Sequence, residues 1–456
     1  MTSFDEYFNW PDVNIAHFYI YFVLTAILAF YMTYKSGSKY KFELFFIAFY
    51  LLTGNLNELL TIRIPGFSLF EIWPERFLFF LLSFFIIRKT VLSRKKLLFT
   101  LDKKVAWFEI ALFGYVIMLV ASQIVNIDNI GLVEAIKVML ETLAFLAIMI
   151  GLKLFMDKPS YNLVGQVLIV GAVISSLVSF AQLVIDPYFL RIGDDRAAFG
   201  TLLRSNGIFN TEYFNSYYLI IAIAWTFTTI KKKWLKTFLI LIFSLGVLTT
   251  FHRMSWLILA LVSIIYLVYI NRVAYEKILV IGLSALALLL SLSIFYYQDI
   301  MNSSLVKERL NEPITGRKAY YSLVLDNIDK KPLFGYGNFD NEVYYAGMLQ
   351  ITSSRQRASG ETGGLHSGYF STLFLYGVPA FVFFSLFALL SVMYYASYYR
   401  ENIYFAIPLL VSVIYLIGNL TNTFLFLSYL SVLFAVHIGI GMGINGIDKG
   451  ELKKAG

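Results

Sequence analysis

Apolar runs about twenty residues long recur from one end of this chain to the other. They begin near Asn14, Lys41, Leu69, Val105, Gly131, Tyr161, Thr211, Trp234, Met254, Lys277, Gly368, Ile403 and Phe424. An α-helix rises about 1.5 Å per residue, so a run of about twenty is what the hydrocarbon core of a bilayer demands. The composition agrees, with 59% hydrophobic and only 14% charged residues. Barrel strands would read as short alternating segments, and no such pattern is present. The fold class expected is therefore all-α, a polytopic integral membrane protein with about 12–13 transmembrane helices. Merging the tight pair around FHRMSW gives the lower number.

Charge sets the expected topology, because short cytoplasmic loops collect Lys and Arg. Every second connection is basic: Lys35, Lys39 and Lys41; the run from Arg88 to Lys104; Lys153 and Lys158; KKKWLK from Lys231; Arg272 and Lys277; Arg400; and Lys449, Lys453 and Lys454. This alternation puts the N-terminus outside, the C-terminus inside, and residues 298–366 outside. It also accounts for most of the net charge of +8, which in a soluble domain would point to nucleic acid and here does not. The chain has no Cys, hence no disulfide and no thiolate metal site. MTSFDEYFNW lacks a basic n-region and a small-residue cleavage site, so no cleavable signal is expected.

Three regions follow: N-terminal transmembrane helices over 1–297, one large extracytoplasmic loop over 298–366, and C-terminal helices with a cytoplasmic tail over 367–456. A loop of roughly seventy residues is too long for an ordinary connection and is a functional candidate. Inside it, GRKAYYSLVLDNIDKK carries Tyr320, Val324 and Ile328 at helical spacing, which predicts an amphipathic helix on the interface, ended by Pro332.

The outward-facing loops and helix mouths carry Arg63, Arg76, Arg191, Arg196, Arg204 and Arg253 with no Lys among them, whereas the inner loops are mostly Lys. A guanidinium is a planar fork that grips phosphate oxygens bidentately, so this choice fits a lipid phosphate or pyrophosphate. The alternative for any one of them is a snorkelling anchor or a partner of Asp194, Asp195, Glu71 or Glu75. Arg253 sits in FHRMSW, which leaves almost no loop between two apolar runs and holds the charge at the bilayer edge. Glu134, Lys137 and Glu141 fall within about 60° of one another on a helix, either lining a polar interior or fixing helix packing by ion pairing.

Of the four His, His437 lies inside the last span and reads as a packed residue, while His17 and His252 lie near outer helix ends. His366 follows the glycine-rich GETGG and feeds directly into an apolar run, as an imidazole able to accept a proton near neutral pH. No HExxH or His pair is present, and Asp194 with Asp195 is a bare acidic pair, so no metal and no cofactor is expected.

From Arg317 the order GR, an amphipathic segment, PLFGYGNF, a variable loop and LHSGYFSTLFLYGVPAF closely resembles the signature region of the O-antigen ligase and polymerase superfamily. The resemblance covers about Arg317 to Phe381 and extends more loosely upstream through RSNGIFNTEYFNSYYL and the helix-end Arg253. It implies a GT-C-like glycosyltransferase in the inner (cytoplasmic) membrane, acting at the periplasmic or exterior face on undecaprenyl-pyrophosphate-linked glycans. The family's essential loop His matches His366, its loop Arg matches Arg317, and its helix-end Arg matches Arg253, which gives these three the catalytic roles. Arg204 matches an Arg before NG-type motifs; with Arg196, Arg191 and Glu141 it is expected to bind the pyrophosphate or glycan. This sequence departs from many relatives at Ser367, where they have Asn, and at His252, where they have Ser.

The resemblance implies a metal-independent, inverting transfer from the lipid pyrophosphate to an acceptor hydroxyl. A polymerase of O-antigen, capsule or exopolysaccharide repeat units is the leading expectation, partnered by membrane lipid and a chain-length regulator. The alternatives are an O-antigen ligase using lipid A-core, a protein O-oligosaccharyltransferase, or, from another class, a flippase of lipid-linked oligosaccharide. A transporter more often shows two related halves and broken helices in matching positions, and no internal repeat is visible.

Overall fold

The computed structural model describes residues 15–56, 81–84, 88, 103–192, 197–199, 202–270, 321–322, 324–337, 367–399, 402–422 and 429–444. Its helices are α1 (Ile15–Lys35), α2 (Lys41–Thr53), α3 (Lys103–Val125), α4 (Ile127–Ile130), α5 (Leu132–Phe155) and α6 (Lys158–Val184). They continue with α7 (Glu212–Thr229), α8 (Lys233–Thr249), α9 (Arg253–Ile265), α10 (Gly368–Tyr398), α11 (Ala406–Gly418) and α12 (Tyr429–Gly443). Four stretches are long and apolar enough to span a bilayer: Ala16–Lys35, Trp107–Val125, Lys158–Val184 and Gly368–Tyr398. The chain is an all-α polytopic membrane protein. A two-stranded antiparallel ribbon, β1 (Ala197–Phe199) with β2 (Leu202–Leu203), is a local ornament on it.

Every expected span has its helix except the one near Lys277, which lies outside the described residues together with most of the segment 298–366, and the one near Leu69, of which only helical residues 81–84 and 88 are described. The FHRMSW pair does not merge: α8 ends at Thr249, α9 starts at Arg253, and Phe251 between them takes a positive φ of 51°. The expected helix before Pro332 is present in its described part. Val324 is buried, and a 3-10 turn Ile328–Lys330 closes it just ahead of the proline.

Packing divides the chain into two compact units, Met1–Gly171 with Arg317–Gly456, and Ala172–Gly316. In the first unit α10 lies along α3, where Phe108 meets Phe387 and Tyr115 meets Phe384 at ring centroids of 5.2 and 5.0 Å. Helix α12 lies along α5 and approaches it closely at its glycines. A Cβ on Gly439 would stand 2.5 Å from the Met149 carbonyl oxygen, so the backbones themselves are in contact. Lipid tails are as apolar as Leu, so membrane helices gain little by hiding Leu and associate through such close van der Waals approach. His437 is buried on the same helix and its Nδ1 donates to Leu433 O at 2.6 Å, a packed residue as its place in the sequence implies.

In the second unit α7 is buried along most of its length. Polar side chains tie it to its neighbours: Ser175 Oγ donates to Asn215 Oδ1 and Asn215 Nδ2 to Ser179 Oγ, both at 2.8 Å. Phe227 and Tyr266 stack at 4.0 Å near the other end.

One charged pair is buried inside the first unit, Lys153 Nζ of α5 to Glu109 Oε1 of α3 at 3.1 Å. Its side chains are only 14% and 3% exposed, so each charge relies on the other. Removing one partner strands the other, at about 3–5 kcal/mol, whereas replacing both by apolar groups is near neutral. Lys153→Met should therefore unfold at markedly lower denaturant than wild type in mixed micelles, and Lys153→Met/Glu109→Leu should recover most of the loss. Equal stability of the single and double variants would contradict this.

Candidate functional site

The segment RSNGIFN is held as a rigid shelf ahead of α7. Gln182 Oε1 accepts the backbone N–H groups of Asn206 and Gly207, each at 2.9 Å, and its Nε2 donates to Phe189 O and Gly207 O, each at 3.0 Å. One amide thus saturates both sides of the turn. Gly207, at φ 60°, must be glycine, since a Cβ would lie 2.3 Å from Ser175 Oγ.

Two arginines take different parts in this shelf. Arg191 is wholly buried, and its guanidinium faces backbone: Nε donates to Pro187 O and Nη2 to Arg204 O, both at 2.6 Å. Arg204 pairs through Nη1 with the buried Glu212 Oε1 at 2.6 Å, at the first turn of α7. Glu212 holds Arg204 aimed in one direction, and a carboxylate is favourable at that N-terminal turn.

Arg253 is the first residue of α9, exposed, and forms no ion pair or hydrogen bond among the described residues. A cation there stands at the positive end of the helix dipole, an unfavourable place unless an anion joins it. The turn before it is strained, because Phe251 is one of two non-glycine residues with positive φ among the described residues; the other, Leu190, precedes Arg191. Such strain persists where the surroundings enforce it. Next to Arg253, His252 Nδ1 bonds Ser255 Oγ at 2.6 Å, and Ser255 Oγ bonds Ser216 Oγ at 2.5 Å. The imidazole lies between Tyr213 and Tyr217, at ring centroids of 6.1 and 6.0 Å. His252 is therefore half-buried and oriented, beyond the interfacial placement expected for it.

In the first unit, the two signature strings join each other. Gly377 has φ 86° and ψ 177°, which breaks α10 into a short half, 368–376, and a long one. Pro379 has no N–H, so Leu375 O loses its helical donor. The PLFGYG segment supplies the missing partners. Gly337 N donates to Leu375 O at 2.8 Å, Tyr336 N to Phe374 O at 3.1 Å, and Val378 N donates back to Pro332 O at 2.8 Å. The approach is so close that a Cβ on Gly335 would sit 2.5 Å from Leu375 C, and one on Gly377 2.6 Å from Leu333 C. From α3, Ser122 Oγ donates to Phe334 O at 2.5 Å and to Leu375 O at 3.0 Å. Asn126 Nδ2 donates to Gly335 O at 3.2 Å, and Lys331 Nζ donates to Asn126 Oδ1 at 2.8 Å.

The start of the short half is pinned as well. Ser367 is its N-cap, accepting from Phe370 N, while its own Oγ donates to Asn419 O at 3.1 Å. Gly368 N donates to Asn419 O and Asn422 O at 2.9 and 3.0 Å, and a Cβ on Gly368 would collide with Asn419 Oδ1. The residue immediately before this doubly held pair is His366. His366, Arg317 and Arg196 themselves lie outside the described residues, as do Asp194 and Asp195. Glu141 is half-buried on α5.

Sequence reasoning did not find Ser122, Asn126, Gln182, Glu212 or Asn419. The available signal was a hydrogen-bonding side chain inside or at the mouth of an apolar span, where an unsatisfied polar group is costly.

Comparison with protein families matches residues 238–385 to O-antigen ligase. That stretch is similar to the O-antigen ligase family. The match covers about a third of the chain, from within α8 to within α10, and includes Arg253, Arg317, the PLFGYG segment, His366 and the break at Gly377. It stops short of Glu141, Arg191, Arg196 and Arg204. The likeness is to the O-antigen ligase and polymerase type over that stretch. Comparison with curated proteins gave no match.

The joint between the two motifs predicts a particular pattern of sensitivity. Gly377→Ala meets a conformational penalty of about 1–3 kcal/mol and crowding of about 1–3 kcal/mol more. Ser122→Ala removes hydrogen bonds worth about 1 kcal/mol each, so it should be clearly milder. Thermal unfolding of purified variants in detergent checks the order, and a Gly377→Ala variant as stable as wild type would disprove the joint.

Proposed function

We propose that the chain is a glycosyltransferase of the cytoplasmic membrane, active at its exterior face. It would transfer a glycan from undecaprenyl pyrophosphate to a hydroxyl of another lipid-linked glycan, as a polymerase of O-antigen, capsule or exopolysaccharide repeat units. The observation that supports this most directly is Arg253, an exposed guanidinium at the positive end of a helix, behind a strained turn and inside the family match. A pyrophosphate is the anion that such a fork suits.

In this reading the acceptor oxygen attacks the anomeric carbon as the bond to the pyrophosphate oxygen breaks. The electron pair leaves with undecaprenyl pyrophosphate, and the acceptor proton passes to His366 late in the displacement. Arg253 and Arg317 stabilise charge on the departing oxygens, with no metal required, and one direct displacement inverts the anomeric centre. Arg204, aimed by Glu212, and Arg196 bind the pyrophosphate or glycan. Arg191 supports them by fixing the carbonyl of Arg204, and Glu141 contacts the glycan. A chain-length regulator is the expected protein partner.

The family's own description favours a second reading, an O-antigen ligase that passes the same donor to lipid A-core. Purified protein given lipid-pyrophosphate donor alone should lengthen the glycan if the first reading holds; inactivity until lipid A-core is added would establish the second. His366→Ala should lower turnover by about 10²–10⁴, and Arg253→Ala or Arg317→Ala by about 10²–10³, with unchanged elution and unfolding. A chelator should leave the rate unchanged. Full activity of His366→Ala and Arg317→Ala would remove the assignment.

A further inference from the structure

Helix α6 carries a polar stripe at Lys158, Asn162 and Gln166, spaced four residues apart and therefore on one face. With Lys35 and Ser36 at the end of α1, this stripe lines a cavity of about 280 Å³. The cavity is small against the ~300–1,000 Å³ of sites that enclose whole drug-sized ligands, so it fits a headgroup and not an entire lipid.

Two features define what it would hold. Its charged lining is cationic: Lys35 and Lys158 face it, and no acidic residue lines it. The nearby carboxylate of Asp157 is engaged elsewhere, accepting from Ser160 N at 2.8 Å, from Ser160 Oγ, and from Ser38 Oγ at 3.4 Å. The second feature is depth. Asn162 and Gln166 are exposed, and neither side chain has a hydrogen bond among the described residues. Gln166 lies about 12 Å along the helix from Lys158. An amide facing hydrocarbon there is costly unless a polar occupant meets it.

The flanking side chains place the cavity at headgroup level. Lys35 lies 4.5 Å from the Tyr31 ring centroid and Lys41 4.6 Å from that of Tyr34, and both tyrosines are outward-facing. Paired Tyr and Lys of this kind mark the membrane interface.

We propose that this cavity binds the headgroup of an anionic phospholipid. Its phosphodiester oxygens sit between Lys35 and Lys158, and its glycerol ester oxygens accept from Asn162 and Gln166. Basic pockets between membrane helices recognise acidic headgroups in this way. The two-level match, cation above and amide donor below, selects a lipid over free phosphate, which is too small to meet both levels at once.

The test uses the full chain in nanodiscs, with phosphatidylglycerol or phosphatidylcholine titrated in and occupancy read by native mass spectrometry. Phosphatidylglycerol should bind and phosphatidylcholine should not. Lys35→Gln/Lys158→Gln should weaken phosphatidylglycerol binding by roughly thirtyfold, and Gln166→Leu should weaken it measurably. Lys231→Gln/Lys232→Gln, an equal loss of charge in another basic turn, should leave it unchanged. Equal binding of the two lipids, or unaltered phosphatidylglycerol binding by both Lys35→Gln/Lys158→Gln and Gln166→Leu, would overturn the proposal. Displacement of phosphatidylglycerol by millimolar inorganic phosphate would also overturn it, making free phosphate the occupant.

Discussion

A helix that breaks inside an apolar bundle sets free backbone groups that lipid cannot satisfy, and the first unit is organised around one such break. At Gly377 and Pro379, α10 gives up its own ladder, and the carbonyls of Phe374 and Leu375 turn to PLFGYG for donors. The exchange is reciprocal, because Val378 N finds Pro332 O. Non-helical backbone in an apolar bundle is tolerated only where protein covers it, and here the cover is the PLFGYG segment together with Ser122 and Asn126 of α3. The result is a short half-helix, 368–376, held by PLFGYG at its C-terminal end and by the Asn419–Asn422 turn at its start. Ser367 and Gly368 are thereby held by the Asn419–Asn422 turn as well as by their own helix.

The second unit solves the same problem with side chains in place of a second backbone segment. Gln182 closes the RSNG turn from both sides, Asn215 bridges Ser175 and Ser179, and Arg191 donates to two carbonyls. Neutral amides and one guanidinium therefore do much of the structural work, and the Arg204–Glu212 pair and Arg253 are among the charges not consumed by the backbone. The proposed chemistry on a pyrophosphate needs cations that are fixed yet still charged. A carboxylate partner behind Arg204 meets the first need, and the helix N-terminus beneath Arg253 makes that position hospitable to an anion.

Most of the helical layout was legible because apolar run length is a direct readout of bilayer thickness. The sequence also distinguished His437 from the other histidines, since an imidazole inside a span has little to do except bond a nearby carbonyl. The arginines were found by residue type alone, but their differing roles were not. Whether a guanidinium meets Pro187 O, Glu212 or no described partner depends on loop geometry that no spacing rule encodes. The role of Gly368 was not legible: its absent Cβ admits Asn419, just past the end of α11 and about fifty residues away in sequence. Long-range pairings of that kind leave no local pattern.

A motif shared by a family invites the assumption that each of its residues touches substrate, and the described part of this one argues for a division of labour. Gly335, Gly337 and Gly377 are required because backbone meets backbone at 2.5–2.6 Å from any added Cβ at Gly335 and Gly377, and the Ile130 side chain fills that space at Gly337. Pro379 is required because it removes the donor that would otherwise keep α10 continuous. None of these four has a side chain suited to acid–base or charge-stabilising chemistry. They build a seat, whereas His366 and Arg317, to which the proposed function gives the chemistry, belong to the same signature region of the sequence. Selection for a fixed seat would preserve PLFGYG and LYGVP even among proteins that differ in acceptor.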